Sequence, residues 1–441
     1  MARNRQWMID RRGFLASAGA ALAGASAPGF AAQNPGDRQA RGPAAAFLVP
    51  GYRTDLASYR GHPVREAPAL RRSFPPEYQD EGTLVTRVDE RDGSIRRALM
   101  PVFGHAITVR PDGKHAFWNS MNGGSMVSFD PETLELDVFT RPHGDDWIGG
   151  GHAVYAPGGD ALVVVERKVY GATPGSVAEQ FGQITVRDTK TLRVLDAFSS
   201  HGVSPHDIKL FDDGKHAAVA HYGTMNVPGP EERPIVGEPS LCVIELSTGK
   251  LVQKWTGPHA RREVRHLAVG GLDRIAAILS EEGGPEDMVR LRAGEDTIYE
   301  PDFSVEPGYS YLPTPVQTYD ATNAERPPVE AISDDAMLMR QGQTIVYDPR
   351  HDEAIATFTS SHTVVVFAVA TGKVRKVIRT DRMGLRSPRG LVLHPDGIHY
   401  AVSGSWRGIY QFRRGTHEHV WERDIHTVFF DHSHLSVAAI S

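Results

Sequence analysis

Short alternating or apolar runs, grouped in fours and separated by turn residues, recur along this chain at a spacing of roughly fifty residues. The clearest copy opens Gly104-His105-Ala106-Ile107-Thr108-Val109 and turns at Pro111-Asp112-Gly113. It continues through His115-Ala116-Phe117-Trp118, Met126-Val127-Ser128-Phe129 and Leu134 to Phe139. A second opens at Gly151-His152-Ala153-Val154-Tyr155 and closes with Leu192 to Phe198. A third runs from Pro205-His206-Asp207-Ile208 to Trp255. A weaker fourth begins at Arg265-His266-Leu267-Ala268-Val269, a fifth runs from about Gln343 to Ile378, and a sixth starts at Pro388-Arg389-Gly390-Leu391.

The termini complete the series. His434 to Ile440 reads as a first strand with nothing after it, whereas Ala46-Phe47-Leu48-Val49, Thr83 to Asp89 and Ile95 to Val102 read as later strands lacking a first. Pairing them leaves no open sheet edge. The pattern therefore predicts an all-β chain, a seven-bladed β-propeller over residues 46–441 closed by a blade shared between the two termini. Stretches rich in Pro, Gly, Glu and Tyr near 52–80, 170–181, 222–238 and 281–339 read as loop insertions, and all but the first are expected to follow the second strand of a blade.

Ahead of the repeats, Asp10-Arg11-Arg12-Gly13-Phe14-Leu15 sets paired arginines before an aromatic and a leucine. A weakly apolar Ala/Gly stretch from Ala16 to Ala27 follows, then small residues at Ala31 and Ala32. That is a positive, an apolar and a cleavable region in succession, with Arg11, Arg12, Phe14 and Leu15 as the export motif. Residues 1–32 are expected to be a twin-arginine signal peptide delivering folded protein to the periplasm, and 33–45 a flexible leader. The apolar stretch is short for a bilayer, so no membrane span is expected after signal removal.

Composition narrows the chemistry. The single cysteine, Cys242, lies in the apolar run Leu241-Cys242-Val243-Ile244 and reads as a small buried hydrophobe. No Cys-x-x-Cys-His is present, which excludes covalent c-type haem. The net charge of −6 and the lack of a basic stripe argue against nucleic acid as a partner. There is no Gly-x-Ser-x-Gly elbow, P-loop, His-Glu-x-x-His or dinucleotide fingerprint.

Histidine is abundant, with 20 residues, and its placement carries the functional reading. At the start of each blade's first strand stand His105, His152, His206, His266, Gln343, Arg389 and His434. First strands line a propeller's channel, so these side chains should ring one mouth. Second strands return to the same mouth, bringing Asn119, Glu166, His221, Ser280, Glu281, Ser403 and Trp406, with the insertions over them as a lid. His201 stands in the loop before the third blade and is a further candidate. Several neutral imidazoles suit Fe, Cu or Zn, with Glu166 orienting one ring from behind, and haem is a further possibility. The same ring with Arg389 suits an organic or anionic ligand, and a water-filled polar plug is the third alternative. His417-Glu418-His419 and His432-Ser433-His434 each place two imidazoles on one strand face, a weaker metal clip. Asp145-Asp146-Trp147 reads as a turn.

At these residues the chain resembles the periplasmic propellers catalogued as domain-of-unknown-function family 1513. The matching stretches are Gly149-Gly150-Gly151-His152-Ala153-Val154, Ser200-His201-Gly202-Val203-Ser204-Pro205-His206-Asp207, Pro239-Ser240-Leu241 and Val264-Arg265-His266-Leu267-Ala268. The resemblance implies metal or haem handling beside periplasmic iron-uptake proteins such as the imelysin type, not a defined reaction. The chain departs from that pattern after the second strand of blade two, where only Glu166 remains acidic, and in the long segment 281–339. The leading expectation is a non-catalytic periplasmic protein that binds a metal ion or chelate, accessory to metal uptake. A metallo-oxidoreductase and a protein-interaction scaffold are the alternatives.

Overall fold

The computed structural model describes residues 43–53, 82–121, 123–168, 181–227, 233–236, 238–257, 262–283, 310–404, 408–426 and 434–440. Their strands form seven antiparallel sheets in a ring, the arrangement of a seven-bladed β-propeller. Blade 1 spans Gly104–Thr140, blade 2 Trp147–Ser199, blade 3 Pro205–Thr256, blade 4 Glu263–Ala331 and blade 5 Gly342–Arg379. Each of these carries four strands. Blade 6, Pro388–Arg413, has three, and isolated bridges from Phe412 to His419 and Ile409 to Ile425 stand where its outer strand would run. No helix of the described residues is long and apolar enough to cross a membrane.

Blade 7 joins the termini. The C-terminal strand Ser436–Ile440 is innermost and pairs with Ala44–Arg53, which in turn pairs with Thr83–Asp89, and Ile95–Met100 lies outside. The segment between Arg53 and Thr83 therefore also follows a second strand, as the later insertions do, contrary to the expectation that it was the exception.

The binary pattern explains why the ring closes. Second strands such as Ala116–Ser120 and Ile275–Ser280 are buried along their whole length, while outer strands such as Lys373–Arg379 are largely exposed. Side chains alternate across each sheet, so every blade has apolar residues on both faces to pack on both neighbours. Seven hydrophobic clusters result, one between each adjacent pair of blades. Fully buried Trp118 joins blades 1 and 7 against Leu48, Val85 and Met100, and a Cβ at Gly104 would strike its indole. Trp118→Ala would cost about 3–5 kcal/mol by opening that seam.

One expected insertion is shorter than its sequence suggests. Within 281–339, Val316–Tyr319 and Val329–Ala331 supply the third and outer strands of blade 4. The strand Val316-Gln317-Thr318-Tyr319 carries two polar residues among its four and is flanked by prolines at 313, 315, 327 and 328, so its periodicity is hidden. Between 222 and 238, Thr224–Val227 and Arg233–Val236 pair as a small extra hairpin.

Candidate metal centre

Each inner strand from blade 1 to blade 6 is irregular at the position that faces the channel mouth. Pairing skips between Gly104 and Ile107, Gly149 and Ala153, Pro205 and Asp207, Val264 and His266, Gly342 and Thr344, and Pro388 and Leu391. An extra residue on one strand re-aims its side chain and bends the backbone. Here the skipped residues include His105, His152, His206, Arg265, Gln343 and Arg389. A repeated bulge is thus what turns strand side chains toward the axis.

The register also corrects the alignment of blade 4. Val264 and His266 pair with Leu279 and Ile278, just as Pro205 and Asp207 pair with His221 and Ala220. Arg265 therefore takes the place of His206, and His266 that of Asp207. The offset arises because the sequence pattern aligns residues without seeing which of them is bulged.

Even so, the imidazoles converge. His105, His152, His206 and His266 each offer a ring nitrogen, and these atoms all lie within 4.8 Å of one another. His434 joins them, its ring 4.6–4.7 Å from those of His105, His152 and His266. Two nitrogen pairs face directly: His206 Nε2 and His266 Nε2 at 3.1 Å, and His434 Nε2 and His105 Nε2 at 3.0 Å. Metal–nitrogen bonds of about 2.0–2.1 Å would put adjacent ligand atoms about 2.9 Å apart at a right angle and about 3.3 Å apart in a tetrahedron. The observed separations fit either.

The partners behind the rings fix which nitrogen faces inward. His206 Nδ1 lies 2.8 Å from the Gly150 carbonyl, which can only accept, so Nδ1 carries the proton and Nε2 presents a lone pair to its neighbours. His152 Nδ1 lies 3.2 Å from Asp207 Oδ1, and its Nε2 is buried with no hydrogen-bond partner. His434 Nδ1 is 2.9 Å from the Thr344 hydroxyl. Outer hydrogen bonds of this kind orient metal-binding histidines and raise their basicity. Asp207 is itself held by Lys209 Nζ at 2.7 Å and by the Leu267 amide at 2.9 Å. Gly151, at φ 113°, is the residue that lets the rings close: a Cβ there would lie 2.9 Å from both His105 and His206.

Electrostatics keep the group neutral. Burial pushes the pKa of His105 down to about 3, helped by the positive charges of Arg167, Arg389 and Arg265. Burial likewise lowers His152, His206, His266 and His434 well below the usual imidazole value, with neighbouring imidazoles adding to the effect. Burial raises Asp207 despite Lys209 and lowers His152, so their contact sets a neutral imidazole beside the acid. Neutral imidazole is the form that ligates a metal.

Other expected residues are placed elsewhere. Glu166, expected to orient an imidazole, instead binds Arg187 at 2.7 Å, Thr185, Gln183 and the His143 amide. Its acceptor oxygens are used by blade 2 itself, and Asp207 takes the expected role. His221 Nδ1 donates to Ser240 O at 3.3 Å while Nε2 accepts from Ser200 Oγ, so it braces blade 3. His201 Nε2 reaches Gly249 O at 2.8 Å, and Glu281 pairs with Arg262 at 3.1 Å. Gln343 occupies its bulge in blade 5, but the next residue, Thr344, makes the contact to His434. Arg389 stands at the mouth as expected. His417 and His419 point to Glu353 and Asp424 respectively and form no clip. Trp406, His432 and Ser433 lie outside the described residues, as do 54–80, 170–180, 228–232, 237 and 284–309 within the expected insertions. The sequence reading missed Asp207, although it directly follows His206, and the roles of Arg167, Arg265, Tyr222 and Thr344.

A second acidic and histidine group, Asp348, His351 and Glu353, also lies within metal-binding reach. Its carboxylates already hold Arg414 and Arg375, which makes it a charge network rather than a ligand set.

Among solved structures, hydrazine synthase of Kuenenia stuttgartiensis is similar in fold, with a TM-score of 0.51 at 15% identity over 76% of this chain and 93% of that one. No curated protein matches the chain. Blades 1 to 3 and the first two strands of blade 4 fall within residues 98–302, which also hold His105, His152, His206 and His266, and this is the stretch that matches the family model of the protein of unknown function DUF1513, the family its motifs resemble.

Proposed function

We propose that this protein is a periplasmic metal-binding propeller that holds one first-row transition ion, copper, zinc or iron, on its axis. The observation that carries the reading is the convergence of buried neutral imidazoles with lone pairs turned inward, above all His206 Nε2 and His152 Nε2. An all-nitrogen donor set without thiolate suits Cu, Zn or Fe and disfavours Mg and Ca. His105, His152, His206 and His266 would ligate, with His434 as a fifth donor or as a hydrogen-bonding neighbour. The paired arginines at Arg11 and Arg12 support export in the folded, metal-loaded state through the twin-arginine route, and the family resemblance supports a role accessory to iron uptake rather than a reaction of its own.

Elemental analysis of protein exported by its own leader tests the proposal. It should carry about one equivalent of Cu, Zn or Fe per chain, retained through gel filtration. A chain that stays empty after export, and that takes up none of the three ions when titrated, overturns the reading.

A further inference from the structure

Beside the imidazoles, the mouth gathers three arginines. Arg167, at the mouth end of the second strand of blade 2, is only 7% exposed, and its Nε is buried without a hydrogen-bond partner. Among the described residues no carboxylate pairs with it. Its guanidinium carbon stands 5.9 Å from the centre of the Tyr222 ring, and that of Arg265 stands 5.7 Å from the same centre. The Tyr222 ring stacks on His206 with centroids 4.4 Å apart, which ties both guanidiniums to the imidazole group. Arg389 comes in from the equivalent bulge on blade 6. Of these, Arg265 is bound to Glu263 at 2.9 Å, while the nearby Asp207 is bound to Lys209 and lies 3.2 Å from His152.

We propose that Arg167 and Arg265, arranged about Tyr222, together with Arg389 at the same mouth, form an anion subsite that takes a small carboxylate or other oxyanion beside the histidine ring. A buried guanidinium with an unused donor is costly unless an anion reaches it. A planar guanidinium offers paired N–H groups that match a carboxylate edge, and the aromatic face holds the cation in place without neutralising it. An anion seated there lies next to the imidazole nitrogens, where it would complete the coordination of an ion held by them. The subsite needs only the arginines, so it stands or falls separately from the metal.

Calorimetry on the chelator-stripped mature protein tests this with oxalate, inorganic phosphate and the neutral amide oxamide. Oxalate should bind and oxamide should not, and phosphate tells whether the site prefers a planar carboxylate or accepts any oxyanion. Arg167→Gln and Arg265→Gln should each weaken oxalate binding by about tenfold, and Arg167→Lys, which keeps the charge but not the fork, should recover part of it. Unchanged melting curves of the variants would show that the loss is not unfolding. The proposal is overturned if neither anion binds the wild-type protein, stripped or metal-loaded, as it would be if the chain's own carboxylates already filled the site. Anion binding that survives both glutamine variants overturns it equally. Zinc and copper titrations of the same samples report on the imidazoles alone, so a failed metal site and a failed anion subsite give different results.

Discussion

The two ends of the propeller use histidine in opposite ways. At the mouth, five imidazoles crowd together with a single carboxyl behind one of them, and burial holds them neutral. At the far end, where the same inner strands finish, histidines are paired with acids. Asp213–His216, Asp348–His351 and Asp396–His399 repeat one i,i+3 turn contact at 2.6, 2.9 and 2.7 Å. His394 sits between Glu90 at 2.8 Å and Asp396 at 3.1 Å, with Arg423 bound to both acids. Burial alone would lower its pKa, but its bonds to Asp396 and Glu90 outweigh burial and raise it. Burial also works against Glu90, yet hydrogen bonds from His394, Gln411 and Arg423 hold it down at about 2. Histidine content therefore does not mark a site. What separates a ligand set from a structural clasp is whether the lone pairs are left facing one another or are committed to charged partners.

The sharpest break of this comparison is His105→Ala combined with His206→Ala, measured by metal titration and elemental analysis. Affinity should fall at least about a thousandfold, whereas His394→Ala with His399→Ala should leave it unchanged. If the far-end pair lost metal instead, the assignment of roles would be reversed. Next in size is Glu166→Gln, which strips the buried Arg187 of its charge partner. It should cost about 3–5 kcal/mol in urea unfolding while metal stoichiometry stays intact. Asp207→Asn comes third: with His152 no longer steered by a carboxyl, metal affinity should weaken about 10–100-fold at nearly constant stability.

The last test is the pH dependence of stability, where the two ends should pull in opposite directions. For the mouth histidines the folded pKa is depressed, so their contribution is complete above about 6.5. For His105 it is lost as pH falls from there toward about 3, and His152, His206, His266 and His434 lose theirs in the same direction. His394 has a raised folded pKa, so its stabilisation is complete below about 6.5 and disappears as pH climbs through the folded value. Urea midpoints of metal-free protein at pH 5, 6.5 and 8 should show both losses. His394→Asn should remove the alkaline one alone, and a variant that still weakens at pH 8 in the same way would refute the assignment.

How much of this could be read from the chain follows from what periodicity reports. The recurring strand pattern and the Gly-His and Pro-His openings were enough to place seven blades and to bring His105, His152, His206, His266 and His434 to one axis. Bulges are invisible to that reading, because an extra residue leaves composition and alternation almost unchanged. That is why Arg265 and His266 exchanged places in the alignment. The partners of Glu166 were equally hidden, since Arg187 lies on the next strand, opposite Leu162, and only the cross-strand register brings it within reach. Blade 4 hid its outer half because prolines and polar residues broke the strand signal around Val316–Tyr319.

The shared blade has a temporal consequence. His434 lies two residues before Ser436–Ile440, a strand that docks on one made some four hundred residues earlier. Until that segment zips on, the mouth lacks one wall and one imidazole. An ion held by all five imidazoles would thus mark a ring that has shut.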